Sequence, residues 1–150
     1  MFRVYLAGSM AGRVAEIVRA ERQLAVKQFA KAGIHAIDPG ASEKNLWKSG
    51  KNSKISHAAP LKIMEAFVRQ DLWLIRRVDA LVVLTGDYAS DGTWNEIAYA
   101  RTIGLPVVMI APSRVRGDLV GWSNVLNPYI VEDLTSAIRL VKRKLVPDYE

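Results

Sequence analysis

Short apolar runs alternate with longer segments of helical periodicity along the whole chain. Five runs have the length and composition of buried strands: 2–7, 34–37, 78–84, 106–110 and 129–131. Four other segments repeat apolar residues every three or four positions: 13–32, 61–77, 93–103 and 133–145. Strands that alternate with helices predict an α/β fold whose parallel sheet, of about five strands, is covered on both faces. With 150 residues and no linker or repeat, a single domain spanning 1–150 is expected.

The loops at one edge of the predicted sheet are the expected place for a site. Ligands of open α/β sheets bind beyond the carboxyl ends of the strands, so the loops after Ala7, Ile37, Leu84 and Ile110 are the candidates. The longest connection, 41–60, has four lysines around Trp47. Connections of that length are usually functional or disordered, which makes Trp47 a candidate to stack on a base.

Composition narrows the possible chemistry. The chain has no cysteine and two histidines, His35 and His57, which argues against thiolate zinc sites, multi-histidine metal sites and cysteine nucleophiles. We therefore expect no metal and no cofactor, and carboxylates are the best catalytic candidates. The net charge of +6 indicates an anionic partner, either nucleic acid or a small phosphate ester. No membrane-spanning run and no signal-peptide pattern is found, so we expect a cytoplasmic protein without a membrane partner.

The turn Gly8-Ser9-Met10-Ala11-Gly12-Arg13 follows the first strand and opens a helix. Backbone N–H groups at such a place cradle an anion, and Ser9 and Arg13 add a hydroxyl and a guanidinium. The spacing matches neither the dinucleotide motif nor the Walker motif, which disfavours NAD and ATP binding of those types. A plain turn that uses glycines for its geometry is the alternative interpretation.

Asp71 interrupts the apolar stripe of a predicted helix. That stripe comprises Met64, Phe67, Leu74, Ile75 and Val78. A buried carboxylate without a hydrogen-bonding or ionic partner destabilises the folded state by several kcal/mol. Asp71 is therefore expected either to line a cavity or to be paired, with Arg69 and Arg76 as the nearby cations.

The segment Asp91-Gly92-Thr93-Trp94-Asn95-Glu96-Ile97 is the richest in the chain. Thr93 and Glu96 have the spacing of a capping box, which by itself would explain the glutamate. Glu96 also aligns with Ala100 and Ile103 on the apolar side of its helix. From the first turn it would point toward the carboxyl edge of the sheet, where the helix dipole helps to keep it ionised. Glu96 is therefore a candidate nucleophile.

Two aromatic residues are placed to complete such a site. Tyr5 lies in the first strand and could reach a carboxylate at the same edge, although a core tyrosine is the plainer interpretation. Trp94 is beside Glu96 and, like Trp47, could stack on a base, although both are core or loop anchors by default.

In order and spacing, these segments resemble the nucleoside 2-deoxyribosyltransferase family and the related nucleoside 5′-monophosphate N-glycosidases. The resemblance spans most of the chain. It rests on Val4-Tyr5-Leu6-Ala7-Gly8, Asp71 with Ile75, Asp79-Ala80-Leu81-Val82-Val83, Asp91-Gly92-Thr93 through Glu96-Ile97, and Gly104-Leu105-Pro106-Val107-Val108. It implies a flavodoxin-like, doubly wound Rossmann-like sheet and chemistry at the anomeric carbon of a nucleoside.

The resemblance also implies roles for single residues. Glu96 matches a glutamate that attacks C1′ and expels the base, giving a glycosyl-enzyme that a second base or water resolves. Asp71 matches an aspartate that assists the leaving base or holds the sugar, and Tyr5 matches a tyrosine that orients the nucleophile. Asn124, with Asn127 as a competitor, matches an asparagine that reaches the sugar of a neighbouring subunit, since the family forms dimers or larger assemblies. The other expected substrate contacts are Gly8, Ser9, Met10, Gly12, Arg13, Asp91, Gly92, Trp94 and Trp47.

Three features of the sequence bear on whether the resemblance implies base transfer or hydrolysis. Ser90 stands where transferases of free nucleosides tend to carry a second acidic residue. The turn 8–13 looks more like the phosphate-binding loop of the N-glycosidases, whereas Trp94 is a poor match to the small residues of those enzymes. We expect transfer of a deoxyribosyl group to another nucleobase, with hydrolysis of nucleoside 5′-monophosphates as the alternative.

Two interpretations without catalysis stay open. A nucleotide-binding module would use the same crevice and not need a nucleophile. Nucleic-acid binding would use the basic residues from Lys44 to Lys54 and from Arg139 to Lys144, but no recognised binding motif accompanies them. A solvated basic surface is the plainer interpretation of that charge.

Overall fold

The computed structural model of the protein describes residues 1–10, 12–41, 61–84, 90–111 and 129–147. These ranges contain five strands: β1 Arg3–Ala7, β2 His35–Ile37, β3 Ala80–Leu84, β4 Val107–Ile110 and β5 Tyr129–Val131. They form one sheet in the order β2-β1-β3-β4-β5, and every neighbouring pair is parallel. This is the doubly wound, flavodoxin-like order, so the predicted fold class is confirmed.

The helices lie where the periodicity predicts them, with bounds that differ by one or two residues. They are α1 Ala15–Lys31, α2 Leu61–Ile75, α3 Asp91–Thr102 and α4 Leu134–Leu140, which continues as a π-helical segment Val141–Leu145. The α4 helix begins where the Asp133 carboxylate accepts a hydrogen bond from the Ser136 N–H at 2.7 Å. Across the described ranges, no helix combines the length and apolarity that a membrane span requires.

Two apolar layers cover the sheet, one on each face. Along β1 the side chains alternate, so that Val4 and Leu6 join one layer while Tyr5 and Ala7 join the other. Helices α1 and α4 pack on the first layer, and α2 and α3 pack on the second. Tyr5 therefore lies on the face that also carries the helices of Asp71 and Glu96.

The buried stripe of α1 differs from the predicted one. Ile17 and Leu24, which the apolar pattern places in that stripe, are 54% and 51% exposed. The residues that α1 buries are Ala15, Val18, Arg22, Ala25 and Phe29. They follow each other at spacings of three or four, so the helix faces the sheet along a line that includes an arginine. A pattern read from apolar residues alone passes over this arginine.

Gly8 brings the end of β1 unusually close to the end of β3. Its φ is 147°, and a Cβ added there would lie 2.3 Å from the carbonyl oxygen of Leu84. A backbone atom cannot move aside as a side chain does, so glycine is required at this point.

Replacing Gly8 by alanine is expected to lower the free energy of unfolding by about 1–3 kcal/mol, because strain and a backbone clash combine. Urea denaturation followed by circular dichroism measures it. Gly92→Ala is the matched control, since its Cβ would meet nothing nearer than Ser90 Oγ at 3.8 Å. Equal denaturation midpoints for Gly8→Ala and the wild type would show that the approach of β1 to β3 is not as close as described.

Candidate active site

A hydrogen bond joins β1 to α3 at the centre of the predicted site. The hydroxyl of Tyr5 donates to Oε1 of Glu96 at 2.8 Å. The Tyr5 side chain is fully buried, and Glu96 is half-buried. Burial raises the pKa of the Tyr5 phenol far above its ordinary value, and the negative charges of Glu96 and Asp71 raise it further. The phenol therefore stays protonated and keeps its hydrogen for donation to a carboxylate.

Asp71 on α2 reaches the same phenol. Burial raises the pKa of its carboxyl group from 3.8 to about 6, although the hydrogen bond with Tyr5 and the charge of Arg22 act in the opposite direction. A phenol has one hydrogen, so it cannot donate to two carboxylates at once. Sequence analysis places Tyr5, Asp71 and Glu96 in one site, and in the structure these three side chains interact.

The two arginines near Asp71 in the chain, Arg69 on α2 and Arg76 just after it, have other partners. The Arg69 guanidinium lies 2.6 Å from a carboxylate oxygen of Glu65, one helical turn away. Arg76 donates to the hydroxyl of Tyr99 on α3. The alternative in which Asp71 is held by Arg69 or Arg76 therefore receives no support from these contacts.

The capping box predicted for Thr93 and Glu96 is wrong. The α3 helix begins at Asp91, and its N-cap is Ser90, whose hydroxyl oxygen accepts from the Thr93 N–H at 3.3 Å. Serine is among the best N-cap residues, so it fixes the start of the helix two residues before the predicted one. Glu96 is therefore in the second turn rather than the first, where the helix dipole is weaker. Capping no longer explains this glutamate, which lies beside Tyr5 instead.

The turn after β1 is held by its own arginine. The Arg13 guanidinium donates to the carbonyl of Ser9 at 3.2 Å and pairs with Glu21 on α1 at 2.7 Å. Ser9 is 3% exposed, while Gly12 has a φ of 75° and faces solvent. Met10 packs on the first turn of α1. Arg13 thus stabilises the turn. It is already paired with the Glu21 carboxylate, so a bound anion would have to compete with that carboxylate for Arg13.

Arg22 is the site residue that sequence analysis missed. Its side chain is 3% exposed, and it donates to the carbonyls of Leu6 and Gly8, each at 3.0 Å. It also pairs with the carboxylate of Asp38, which follows β2, at 2.8 Å. Its charge lowers the pKa of both Tyr5 and Asp71. The sequence signal for this residue was its position, because Arg22 is in line with Val18 and Ala25 on the side of α1 that is buried.

The remaining predicted residues fall into two groups. Asp91 and Gly92 are exposed in the first turn of α3, and Trp94 is half-buried against the layer that contains Tyr5. Trp47 and Asn124, together with the basic segment from Lys44 to Lys54, lie outside the described residues. Within the described ranges, no group of three or more acidic or histidine side chains is arranged to hold a metal ion.

The arrangement brings a glutamate, an aspartate and a phenol together at the point where ligands of this fold bind. In the strand order β2-β1-β3-β4-β5 the chain moves from β1 outward to β2 and then crosses back to β3 on the other side of β1, so the topological switch point lies between β1 and β3. Glu96 supplies a carboxylate held by a phenol, and Asp71 supplies a carboxyl group that titrates near neutrality.

Residues 2–109 match the model of a protein family described as a domain of unknown function, DUF4406. A search of curated proteins yields no match. Solved structures share the fold. A 2-deoxyribosyltransferase from Bacillus psychrosaccharolyticus is 18% identical and superposes with a TM-score of 0.65 over 91% of this chain and 90% of that one.

Two further structures show how widely the fold is used. A 2-deoxyribosyltransferase from Leishmania mexicana is 12% identical, with a TM-score of 0.62 over 97% of this chain and 100% of that one. A molybdenum cofactor binding protein from Rippkaea orientalis is 14% identical, with a TM-score of 0.60 over 97% of this chain and 98% of that one. At these identities the similarity establishes the fold.

Proposed function

Since the chain belongs to the DUF4406 family and has the fold of 2-deoxyribosyltransferases, we propose that it cleaves the N-glycosidic bond of nucleosides or nucleotides. Glu96 is the nucleophile, and the deoxyribosyl group passes to a second nucleobase. One observation carries the proposal: the Tyr5 phenol, on the strand next to the switch point, interacts with the carboxyl groups of both Glu96 and Asp71.

Glu96 begins the reaction by attacking the sugar. One carboxylate oxygen of Glu96 forms a bond to C1′ as the bond from C1′ to the base nitrogen breaks. The electron pair of that bond leaves with the base, and the sugar passes through an oxocarbenium-like transition state to a glycosyl ester of Glu96. The hydrogen bond from Tyr5 orients the carboxylate for this step.

Asp71 handles the proton that the base requires. With a pKa of about 6, its carboxyl group is partly protonated near neutral pH, so it can donate a proton to the leaving base nitrogen. In the second step the acceptor base attacks C1′, its proton passes to the Asp71 carboxylate, and Glu96 departs as a free carboxylate. The same group thus acts as acid and then as base, and the site returns to its starting state.

A substrate panel tests the proposal. Deoxynucleosides and their 5′-monophosphates are each incubated with the protein, with and without an acceptor base, and the bases are separated by chromatography. We expect an exchanged base when an acceptor is present. Folded protein that neither releases nor exchanges a base from any member of the panel would contradict the proposal.

Hydrolysis of nucleoside 5′-monophosphates is the second candidate. It is favoured by the turn after β1, where Ser9 is buried, Gly12 has a positive φ and Arg13 holds the Ser9 carbonyl. Water would then take the place of the acceptor base. Base released from monophosphates without an acceptor, and little from free nucleosides, identifies this activity in the same panel.

A module that binds a nucleotide without cleaving it is a third candidate, supported by the binding protein among the structures of this fold. Such a module would not need the contact between Tyr5 and Glu96. Binding of panel members without any turnover identifies it.

We also propose that the chain assembles as a homo-oligomer. The α2 helix exposes large apolar side chains, and Leu61, Val68 and Trp73 are each more than half exposed. Leu61 and Val68 are seven positions apart and share one face of α2, and a second copy of the chain would cover that face. Light scattering on the eluting protein should give the mass of a dimer or larger, whereas the mass of one chain would contradict this assignment.

A further inference from the structure

Arg22 forms a bridge between three parts of the carboxyl edge of the sheet. It comes from α1, its Nη1 donates to the Leu6 carbonyl in β1 and to Asp38 after β2, and its Nη2 donates to the Gly8 carbonyl. The Asp38 carboxylate is itself held by the N–H of Gly40 at 3.0 Å. A buried charge with this many partners keeps one geometry, because any movement would leave part of it unpaired.

The bond to the Gly8 carbonyl determines which way the next peptide faces. The described residues have no cis peptide bond. In a trans peptide the C=O of one residue and the N–H of the next point in opposite directions. Because the Gly8 carbonyl points at Arg22, the Ser9 N–H points away from Arg22 and from the packed interior beneath α1.

We propose that Arg22 is a positioning residue, which holds the Gly8–Ser9 peptide so that residues 8–10, at the start of the turn after β1, keep a shape able to receive the substrate. This inference rests on the proposed function, because that function assigns the turn to the substrate-binding side of the site. Arg22 itself touches no reacting atom. Its charge also acts on the pKa of Tyr5 and Asp71, which places it electrostatically close to the catalytic groups.

Arg22→Lys is the informative variant. Lysine keeps the charge, but its single ammonium cannot reproduce the planar fork that reaches two carbonyls and a carboxylate together. We expect KM for whichever panel substrate the protein cleaves to rise about tenfold, with kcat within about twofold, because binding is lost equally in the ground and transition states. Arg19→Lys makes the same replacement at an exposed position of α1 and should leave both constants unchanged.

Hydrogen exchange tests the positioning without any substrate. The Arg13 amide donates to the Met10 carbonyl at 3.2 Å, so its protection reports the shape of the turn. In Arg22→Lys this amide should exchange about tenfold faster, while the Val82 amide in the centre of the sheet keeps its rate. If hydrogen exchange in Arg22→Lys accelerates throughout the protein, the Asp38→Asn variant provides the test of positioning. It removes one hydrogen-bond partner of Arg22 and keeps the arginine itself.

The outcomes separate the two proposals. Absence of turnover in the wild type removes the proposed function and leaves the exchange result as the test of Arg22. If the wild type turns substrate over, and if Arg22→Lys and Arg19→Lys have the same KM and the same exchange rate at the Arg13 amide, the role of Arg22 is overturned. The proposed function is then unaffected. Selective acceleration at Arg13 in either Arg22→Lys or Asp38→Asn supports it.

Discussion

Replacing Glu96 by glutamine is expected to lower kcat for base release by about 10⁴-fold or more, because the variant lacks the carboxylate that attacks C1′. The fold and the substrate affinity should survive. The glutamine carbonyl can still accept the hydrogen bond that Tyr5 donates to Oε1 in the wild type, so no buried donor loses its partner. Steady-state rates and equilibrium binding of the same substrate give the two quantities.

Glu16→Gln is the matched control for this variant. Glu16 is exposed in the first turn of α1, so its replacement removes the same charge away from the site. It should retain the wild-type rate. Turnover by Glu96→Gln within about tenfold of the wild type would rule out Glu96 as the nucleophile, since losing a nucleophile costs far more.

Replacing Asp71 by asparagine should lower kcat by about 10²–10³-fold, the range for loss of a general acid. The loss should be largest for bases that leave poorly, because those depend most on protonation. Binding should change little, since asparagine has nearly the same volume. Rates for a series of bases with different leaving ability measure this dependence, and an equal loss for all of them would assign Asp71 to holding the sugar instead.

The same replacement should stabilise the fold in a pH-dependent way. Burial raises the pKa of Asp71 to about 6 in the folded protein, against an ordinary value of 3.8. Between these values the unfolded chain is ionised and the folded chain keeps its proton, so the contribution of this group to stability falls as pH rises. Above about pH 6 the folded protein carries a desolvated carboxylate, which asparagine avoids.

Thermal unfolding at several pH values measures this effect. The Tm of Asp71→Asn should exceed that of the wild type at pH 8, and the difference should shrink as the pH falls from about 6 toward 3.8, below which the wild-type carboxyl group is mostly neutral in both states. Glu16→Gln should show no such trend. A Tm difference that stays constant from pH 4 to pH 8 would contradict a raised pKa at Asp71.

The fold follows from the sequence because its signals are strong and local. Strands such as Ala80–Leu84 are continuous apolar runs, which suit a sheet covered on both faces. The errors occur where a side chain rather than an apolar pattern decides. Ser90 caps α3 earlier than Thr93 would. Helix α1 turns a different side toward the sheet than predicted, because it buries Arg22 and leaves Ile17 and Leu24 exposed.

The candidate site could be predicted in part, for a related reason. Asp71 and Glu96 stand out because each is a carboxylate on an apolar helix face, and Tyr5 gains meaning once they are placed beside it. Arg22 has a weaker signal, its place in the buried line of α1, and this does not reveal its partners. Its partners Leu6, Gly8 and Asp38 lie 14 to 16 positions away in the chain, and only the three-dimensional arrangement of β1, α1 and β2 brings them together.

Trapping the glycosyl-enzyme tests the central claim most directly. A deoxynucleoside with fluorine at C2′ destabilises the oxocarbenium-like transition state and slows release of the sugar from its carboxylate ester. After incubation without an acceptor, mass spectrometry of the intact protein and of its peptides locates the adduct. We predict one fluorinated sugar per chain, attached to Glu96 and absent in Glu96→Gln. Turnover with no adduct and with inverted configuration at C1′, or an adduct on another residue, would contradict the account.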